Sequence, residues 1–259
     1  MISILVTGSN GQLGRSIQKI EADYPELQLV FKDARGLDIT DNDKIDSVFS
    51  KHQFDYCINC AAYTDVEQAE KNPEKAFLIN ADSVRALALA CRDYNVVLIH
   101  ISTDYVFDGE KKTPYKTTDL TNPINVYGAS KLKGEEYVRE VSEKHFIVRT
   151  SWLYSEFGKN FYTTIHKKAK SEKVLQVTDE QTGCPTYARN LAKYLLDLIE
   201  SDSEQYGIHH FTDGEAMTWN GFAKKILIEN GLEDSVIIEK AKNYRTFAKR
   251  PKYSVLAAD

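Results

Sequence analysis

Ile2-Ser3-Ile4-Leu5-Val6-Thr7-Gly8-Ser9-Asn10-Gly11-Gln12-Leu13-Gly14 opens the chain with an apolar run that breaks into three glycines. Residues 2–7 read as a buried strand and residues 11–20 as the helix that follows. Glycines between them permit a tight turn and a close approach of backbone to a pyrophosphate. The helix N-terminus behind them offers free N–H groups and the positive end of its dipole. The spacing is Gly-x2-Gly-x2-Gly rather than Gly-x-Gly-x2-Gly. Strand, loop and helix in that order still point to nucleotide binding over a plain turn, with Gly8, Asn10, Gly11, Gln12, Leu13 and Gly14 as candidate contacts.

Outward from this loop the pattern repeats. Strands are expected at residues 27–31, 54–59, 96–102 and 146–149, and helices at 43–51, 73–94 and 125–141. The 96–102 run is Val, Leu and Ile with little alternation, as for a strand covered on both faces. Such alternation of strand and helix means a parallel sheet with helices on both sides, an α/β Rossmann arrangement. Residues 1–150 are expected to form this dinucleotide-binding domain. After Thr150 the pattern loosens into helices at 160–170, 188–200 and 219–230 and a short strand at 207–212. Residues 151–259 are expected to form a smaller α/β substrate-binding lobe, partly interleaved with the first. Trp219 and Phe222 open a helix and read as packing. His209-His210 is expected to place one ring in the core and one at the surface.

The end of the second strand reports on the cofactor's ribose. Asp33 lies about 20 residues past the loop, where an acidic side chain holds a 2′-hydroxyl. Lys32 and Arg35 flank it, and either could pair a 2′-phosphate. The residues leave NADH and NADPH open, with NADPH favoured. Asp38 and Ile39 are candidates for the adenine pocket, and Asp33 has the alternative of a solvated turn residue.

Chemistry is carried by Tyr127 and Lys131. Four residues apart on a helix, they share a face. A neighbouring ammonium favours the phenolate and lowers a tyrosine pKa from its usual value of about 10, which suits proton transfer. In a chain with 15 tyrosines the spacing alone is weak. Thr103 and Asp104 add weight, because they follow the 96–102 strand at the carboxyl edge of the sheet, where ligands bind.

Composition limits the function class. A net charge of −5 over 259 residues speaks against a general nucleic-acid binder. No apolar run approaches the roughly 18 residues of a membrane span. The N-terminus runs straight into a strand pattern with no basic leader, so a cytoplasmic protein is expected. Cys57 and Cys60 are three apart in a strand-like run, and with Cys91 and Cys184 they read as structural thiols.

These segments together resemble the dTDP-4-dehydrorhamnose reductase family of extended short-chain dehydrogenases. The resemblance rests on the Thr7–Gly14 loop, Cys60-Ala61-Ala62-Tyr63-Thr64-Asp65-Val66-Glu67 and Ser102-Thr103-Asp104-Tyr105-Val106-Phe107-Asp108-Gly109. It continues through Asn125-Val126-Tyr127-Gly128-Ala129-Ser130-Lys131, Arg149-Thr150-Ser151-Trp152-Leu153-Tyr154 and Arg250-Pro251. It implies an NAD(P)H-dependent reduction of the C4 carbonyl of a dTDP-6-deoxy-hexos-4-ulose, for cell-surface polysaccharide synthesis. Tyr127 would donate the proton, Thr103 would bond the same oxygen, and Lys131 would hold the nicotinamide ribose. Ala61, Ala62, Tyr63 and Thr64 would line the cofactor. Val66, Glu67, Asp104 and Trp152 would meet the sugar, with Trp152 as an apolar wall. Arg245, Lys249, Arg250 and Lys252 could meet the diphosphate.

Two departures qualify the resemblance. Some relatives bind magnesium at a dimer contact, but Ser16 and Arg189 stand at the matching positions and are unsuited to magnesium. A monomer or a metal-free homodimer is therefore expected. The family also continues past Arg250-Pro251 with another helix, so either a truncated copy or a shortened member is expected here. Two other readings share the fold. A nucleotide-sugar epimerase carries the same Tyr/Lys pair, whereas a dehydratase needs an acidic pair where this chain has Asp104-Tyr105. A regulatory subunit resembling that of methionine adenosyltransferase would bind a partner and not catalyse, against which the intact Thr103, Tyr127 and Lys131 argue.

Overall fold

The computed structural model describes residues 1–242 and 246–258. Strands and helices alternate first as β1 (Ile2–Thr7), α1 (Gln12–Ile20), β2 (Leu27–Phe31), α2 (Asn42–Lys51) and β3 (Tyr56–Asn59). Then follow α3 (Val66–Lys71), α4 (Pro73–Phe77), α5 (Ser83–Asp93), β4 (Val97–Thr103), α6 (Val126–Val141) and β5 (His145–Thr150). The second half contains β6 (Leu153–Tyr154), α7 (Phe161–Ala169), β7 (Val174–Val177), β8 (Thr182–Gly183), β9 (Thr186–Tyr187) and α8 (Ala188–Glu200). It continues with β10 (Gly207–His210), β11 (Met217–Thr218), α9 (Trp219–Glu229) and β12 (Ile237–Lys240).

Six strands form a parallel sheet in the order β10-β5-β4-β3-β1-β2. The order in which successive strands are added reverses between β1 and β3, so the loops after these two strands part and leave a crevice. Side chains alternate across the sheet. In β4, Ile99 joins the core under α1 and α8, whereas Leu98 joins the core under α2, α5 and α6. Burial on both faces is why these strands are near-continuous apolar runs.

The second half is not a separate body. Its β10 completes the large sheet beside β5, and Leu191, Leu195 and Leu196 of α8 belong to the same core as β1. What remains forms a small cluster in which α7 and α9 cover the parallel pair β7 and β12. Residues 246–258 run back across the molecule, with Tyr115 bridging to Leu256 and Thr182 to Tyr253.

The helix expected over 73–94 is interrupted by a π-helical turn at Leu78–Asp82. The turn aims Asn80 inward, where its amide bonds the Tyr63 backbone at both ends and the Ser130 hydroxyl of α6. The histidine pair also departs from expectation. Both rings are buried, His209 beside the Tyr194 hydroxyl and His210 beside the Ala257 carbonyl.

Candidate active site

The loop after β1 is shaped by close backbone contacts. Gly8 has φ +60°, and a Cβ there would lie 2.6 Å from the Ala61 nitrogen of the loop after β3. Gly14 is not part of a cavity wall as expected; a Cβ on it would lie 2.5 Å from Ser9 Cα, so it serves the packing of the loop on α1. No side chain caps α1 at Gly11, and no acidic residue lies in its first turn. The first N–H groups of α1 therefore face the crevice with the positive end of the helix dipole.

Two cavities meet at this helix end and share Asn10, Gly11, Cys60 and Ala62. One, of about 470 Å³, is lined by Gly8, Asp33, Arg35, Asp38, Ile39 and Ala61. Asp33 is already engaged: it accepts from the backbone N–H of Arg35 and Gly36 and from the Asn10 amide. These bonds hold its carboxyl below the usual range and tie the β2 loop to the glycine loop. Among the described residues lining this cavity, Arg35 supplies the cation. An extended dinucleotide fits this pair of cavities, with its pyrophosphate at the uncapped helix end.

The second cavity, of about 580 Å³, holds Gln12, Leu13, Thr64, Thr103, Tyr127 and Lys131. Tyr127 and Lys131 project from the first turns of α6, whose start is fixed by the Asn125 side chain accepting from the Gly128 N–H at 2.7 Å. The Thr103 hydroxyl donates to Asp104 Oδ1 at 3.0 Å and is hydrogen-bonded to the Tyr127 hydroxyl. Burial pushes the Tyr127 phenol well above the usual tyrosine value; the bond to Thr103 opposes this and the Asp104 charge adds to it. The expectation that Lys131 lowers this pKa is not met. Lys131 Nζ instead donates to the Ile101 carbonyl at 2.6 Å and stands 3.2 Å from His100 Nε2.

Burial also raises Asp104, to about 7, against the opposing hydroxyls of Ser254 and Thr103. An acid whose folded pKa exceeds its unfolded one binds its proton more tightly when folded. Its contribution to stability is therefore full at low pH and is lost as pH rises from about 4 to about 7. Asp104→Asn should remove that loss. Thermal unfolding near pH 5 and near pH 8 should show a smaller fall for the variant than for the parent, and an equal fall would discard the argument.

One wall of this second cavity is aromatic. Trp152, with φ +46°, stacks on Trp219 with ring centroids 3.5 Å apart and planes 4° apart. Phe161 packs on Trp219 at 4.5 Å, and all three line the second cavity. Trp219 is thus a wall residue and not only packing; the second tryptophan of the chain was the signal for it. Val66 and Arg250 line the same cavity, but Glu67 does not. Its carboxylate is taken by Arg250 Nη2 at 2.9 Å and by the N–H groups of Phe247 and Ala248. Glu67 therefore fastens the C-terminal segment and does not line this cavity. Tyr63 likewise is held through its backbone by Asn80, with Lys75 over its ring. Lys249, Arg250 and Lys252 border an adjoining cavity of about 730 Å³ with Asp108 and Asp179. Arg245 lies outside the described residues. The thiols are free, and Cys57 hydrogen-bonds Cys91 and not Cys60.

Comparison with known proteins bears on what this cavity does. The RmlD substrate binding domain family matches residues 2–259. A dTDP-4-dehydrorhamnose reductase of Aggregatibacter actinomycetemcomitans is 39% identical over 266 residues, spanning 99% of this chain and 90% of its own. The spore coat polysaccharide biosynthesis protein SpsK of Bacillus subtilis is 37% identical over 259 residues, spanning 99% and 89%. A dTDP-4-dehydrorhamnose reductase from Bacillus anthracis, solved in complex with NADP, superposes with a TM-score of 0.94 at 37% identity, covering 100% of this chain and 92% of that one.

Proposed function

The chain belongs to the RmlD substrate binding domain family, and we propose that it is an NADPH-dependent oxidoreductase that reduces the C4 keto group of dTDP-4-dehydro-L-rhamnose to give dTDP-L-rhamnose for polysaccharide synthesis. One observation carries the reading: Thr103, Tyr127 and Lys131 converge on a single cavity between the glycine loop and the Trp152–Trp219 wall. When bound, the reduced nicotinamide supplies the hydride. The residues of the chain supply the rest. Tyr127 gives its proton to the oxygen of the former carbonyl, and Thr103, within bonding reach of Tyr127, orients that oxygen. Lys131 holds the cofactor's ribose side. Gly8, Asn10, Gly11, Gln12, Leu13, Ala61 and Ala62 form the cradle for the dinucleotide. Trp152 and Trp219 exclude water from an apolar sugar face, Val66 closes the opposite side, and Asp104 supports Thr103.

The reading carries with it a cytoplasmic, metal-free enzyme, monomeric or dimeric, that acts on a dTDP-sugar without nucleic acid or membrane. Ser16 donates its hydroxyl to the Gln12 carbonyl and Arg189 is an exposed cation, which supports the metal-free part. Among the described residues no helix is long and apolar enough to cross a membrane. Oxidation of NADPH and of NADH, followed by absorbance with dTDP-4-dehydro-L-rhamnose as substrate, tests the function. Turnover with NADPH is expected; cofactor binding without turnover would overturn the reading.

The same assay tests Arg35. With Asp33 engaged by its own loop, Arg35 is the side chain placed to pair a 2′-phosphate. A charge-assisted bond is worth about 1.5–3 kcal/mol, or roughly tenfold to a hundredfold in binding. Arg35→Ala should raise KM for NADPH by that factor and leave KM for NADH nearly unchanged. An equal rise for both cofactors would remove Arg35 from the 2′-phosphate site.

A further inference from the structure

Strands β1, β3 and β4 set Thr7, Asn59 and His100 side by side. Thr7 pairs with Asn59 in register, and Asn59 with His100. The neighbours of each group fix its hydrogen-bonding role. The Ala61 backbone N–H, which can only donate, lies 3.2 Å from Asn59 Oδ1, and the Thr7 hydroxyl donates to the same oxygen at 2.6 Å. Asn59 therefore turns its amide N–H to His100 Nδ1, 3.2 Å away. A ring nitrogen that accepts carries no proton, so the neutral imidazole carries its proton on Nε2. Burial keeps the ring neutral, and the charges of Lys131 and His145 act in the same direction. The Nε2–H then faces Lys131 Nζ at 3.2 Å, while Nζ donates to the Ile101 carbonyl at 2.6 Å.

An amine at Nζ accepts this N–H and still donates to Ile101. An ammonium meets it hydrogen against hydrogen. We propose that Asn59 and His100 are positioning residues that make Lys131 a ready proton donor, because the amine left after transfer is the form the site satisfies. The inference rests on the reductase reading, in which Tyr127 gives up its proton and must regain one. Because Lys131 Nζ is directed at Ile101 and His100, the transfer runs over a solvent water: an N–H bond of the ammonium breaks to that water, the water's own proton forms the O–H bond on the Tyr127 phenolate, and the amine takes the His100 N–H. Water later returns a proton to Nζ.

Other groups around Lys131 do not reverse this. Glu135, one turn along α6, favours the ammonium, but its carboxylate is also bonded by both Nε and Nη2 of Arg149 and by Ser102. His145 of β5 is held toward neutral by burial. Tyr127 and Asp104, on the pocket side, are held toward their protonated forms by burial as well. Burial of Lys131 acts in the same direction as His100 and brings it to about 8.

The test is the alkaline limb of the kcat profile, where turnover falls as Lys131 loses its proton. His100→Phe removes the opposing N–H and should move that limb up by about one pH unit, the worth of one hydrogen bond. Asn59→Asp should also move it up, because the carboxylate draws the proton to Nδ1 and frees the Nε2 lone pair for the ammonium. His100→Gln can present an amide N–H to Nζ and should return the limb close to that of the parent. A purely structural role would lower activity without ordering the three limbs in this way. Independently, nitrogen-15 NMR of the cofactor-free protein, with His100 assigned from the Gln variant, should show Nδ1 bare and Nε2 protonated. The Nδ1–H tautomer, or equal limbs in the parent, His100→Phe and Asn59→Asp, overturns the proposal. The NMR arm needs no turnover. The assigned tautomer in a protein that reduces no dTDP-keto-sugar counts against the reductase reading, and the wrong tautomer in an active reductase counts against this proposal alone.

Discussion

Tyr127→Phe is expected to lose about 10²–10⁴-fold in kcat, the usual worth of a positioned general acid. The ring is half-buried and meets Tyr105 edge to face, with centroids 5.9 Å apart. Phenylalanine keeps that contact, so the loss should appear in turnover and not in folding. Neighbouring groups are poor substitutes. The Thr103 hydroxyl already donates to Asp104, and Lys131 Nζ is directed at Ile101 and His100. The raised phenol pKa has a consequence for direction: Tyr127 keeps its proton through neutral pH, the form that reduction of a ketone requires. Steady-state turnover with NADPH, beside circular dichroism and a cofactor-binding titration, checks the prediction. Turnover within a few-fold of the parent, with fold and cofactor binding intact, would assign the proton to another group.

Much of this was readable in the residue order, for physical reasons that differ from place to place. Parallel strands buried on both faces are apolar runs, and a glycine loop between such a strand and a helix has few other uses. The Tyr127–Lys131 spacing follows from helix geometry alone. What could not be read depended on distant partners. Glu67 pairs with Arg250, 183 positions away, and so is committed to the C-terminal segment. Trp219 opens a helix like a packing residue, and only its stack on Trp152 places it on the cavity wall. The lowered tyrosine pKa assumed that the ammonium points along its own helix face. A backbone carbonyl and a histidine from β4 draw it elsewhere. His100 was hidden for the same reason that β4 was easy to find: it sits inside an apolar run, and its role depends on Asn59 in the adjacent strand.

Arg149→Met is expected to cost about 3–5 kcal/mol in stability, because it leaves a buried carboxylate without its countercharge. Arg149 and Glu135 are 2% and 0% exposed at their side chains, and the guanidinium holds both carboxylate oxygens at 2.9 and 2.7 Å. The Ser102 hydroxyl donates to the same carboxylate at 2.5 Å, so β4, β5 and α6 meet at Glu135. For a domain of this size, 1 kcal/mol is worth about 2–4 °C, so Tm should fall by roughly 10 °C. Arg149 also lies 5.2 Å over the Phe107 ring, and lost packing there is a rival explanation. The double variant Arg149→Met with Glu135→Leu separates the two. If the orphaned charge dominates, removing Glu135 as well should recover most of the loss, since apolar replacement of a whole buried pair is often neutral. If packing dominates, the double variant should be at least as unstable as the single one. Glu135 stands one turn beyond Lys131 on α6, yet it touches neither cavity. Turnover per folded molecule, measured well below the transition, should therefore fall far less than in Tyr127→Phe.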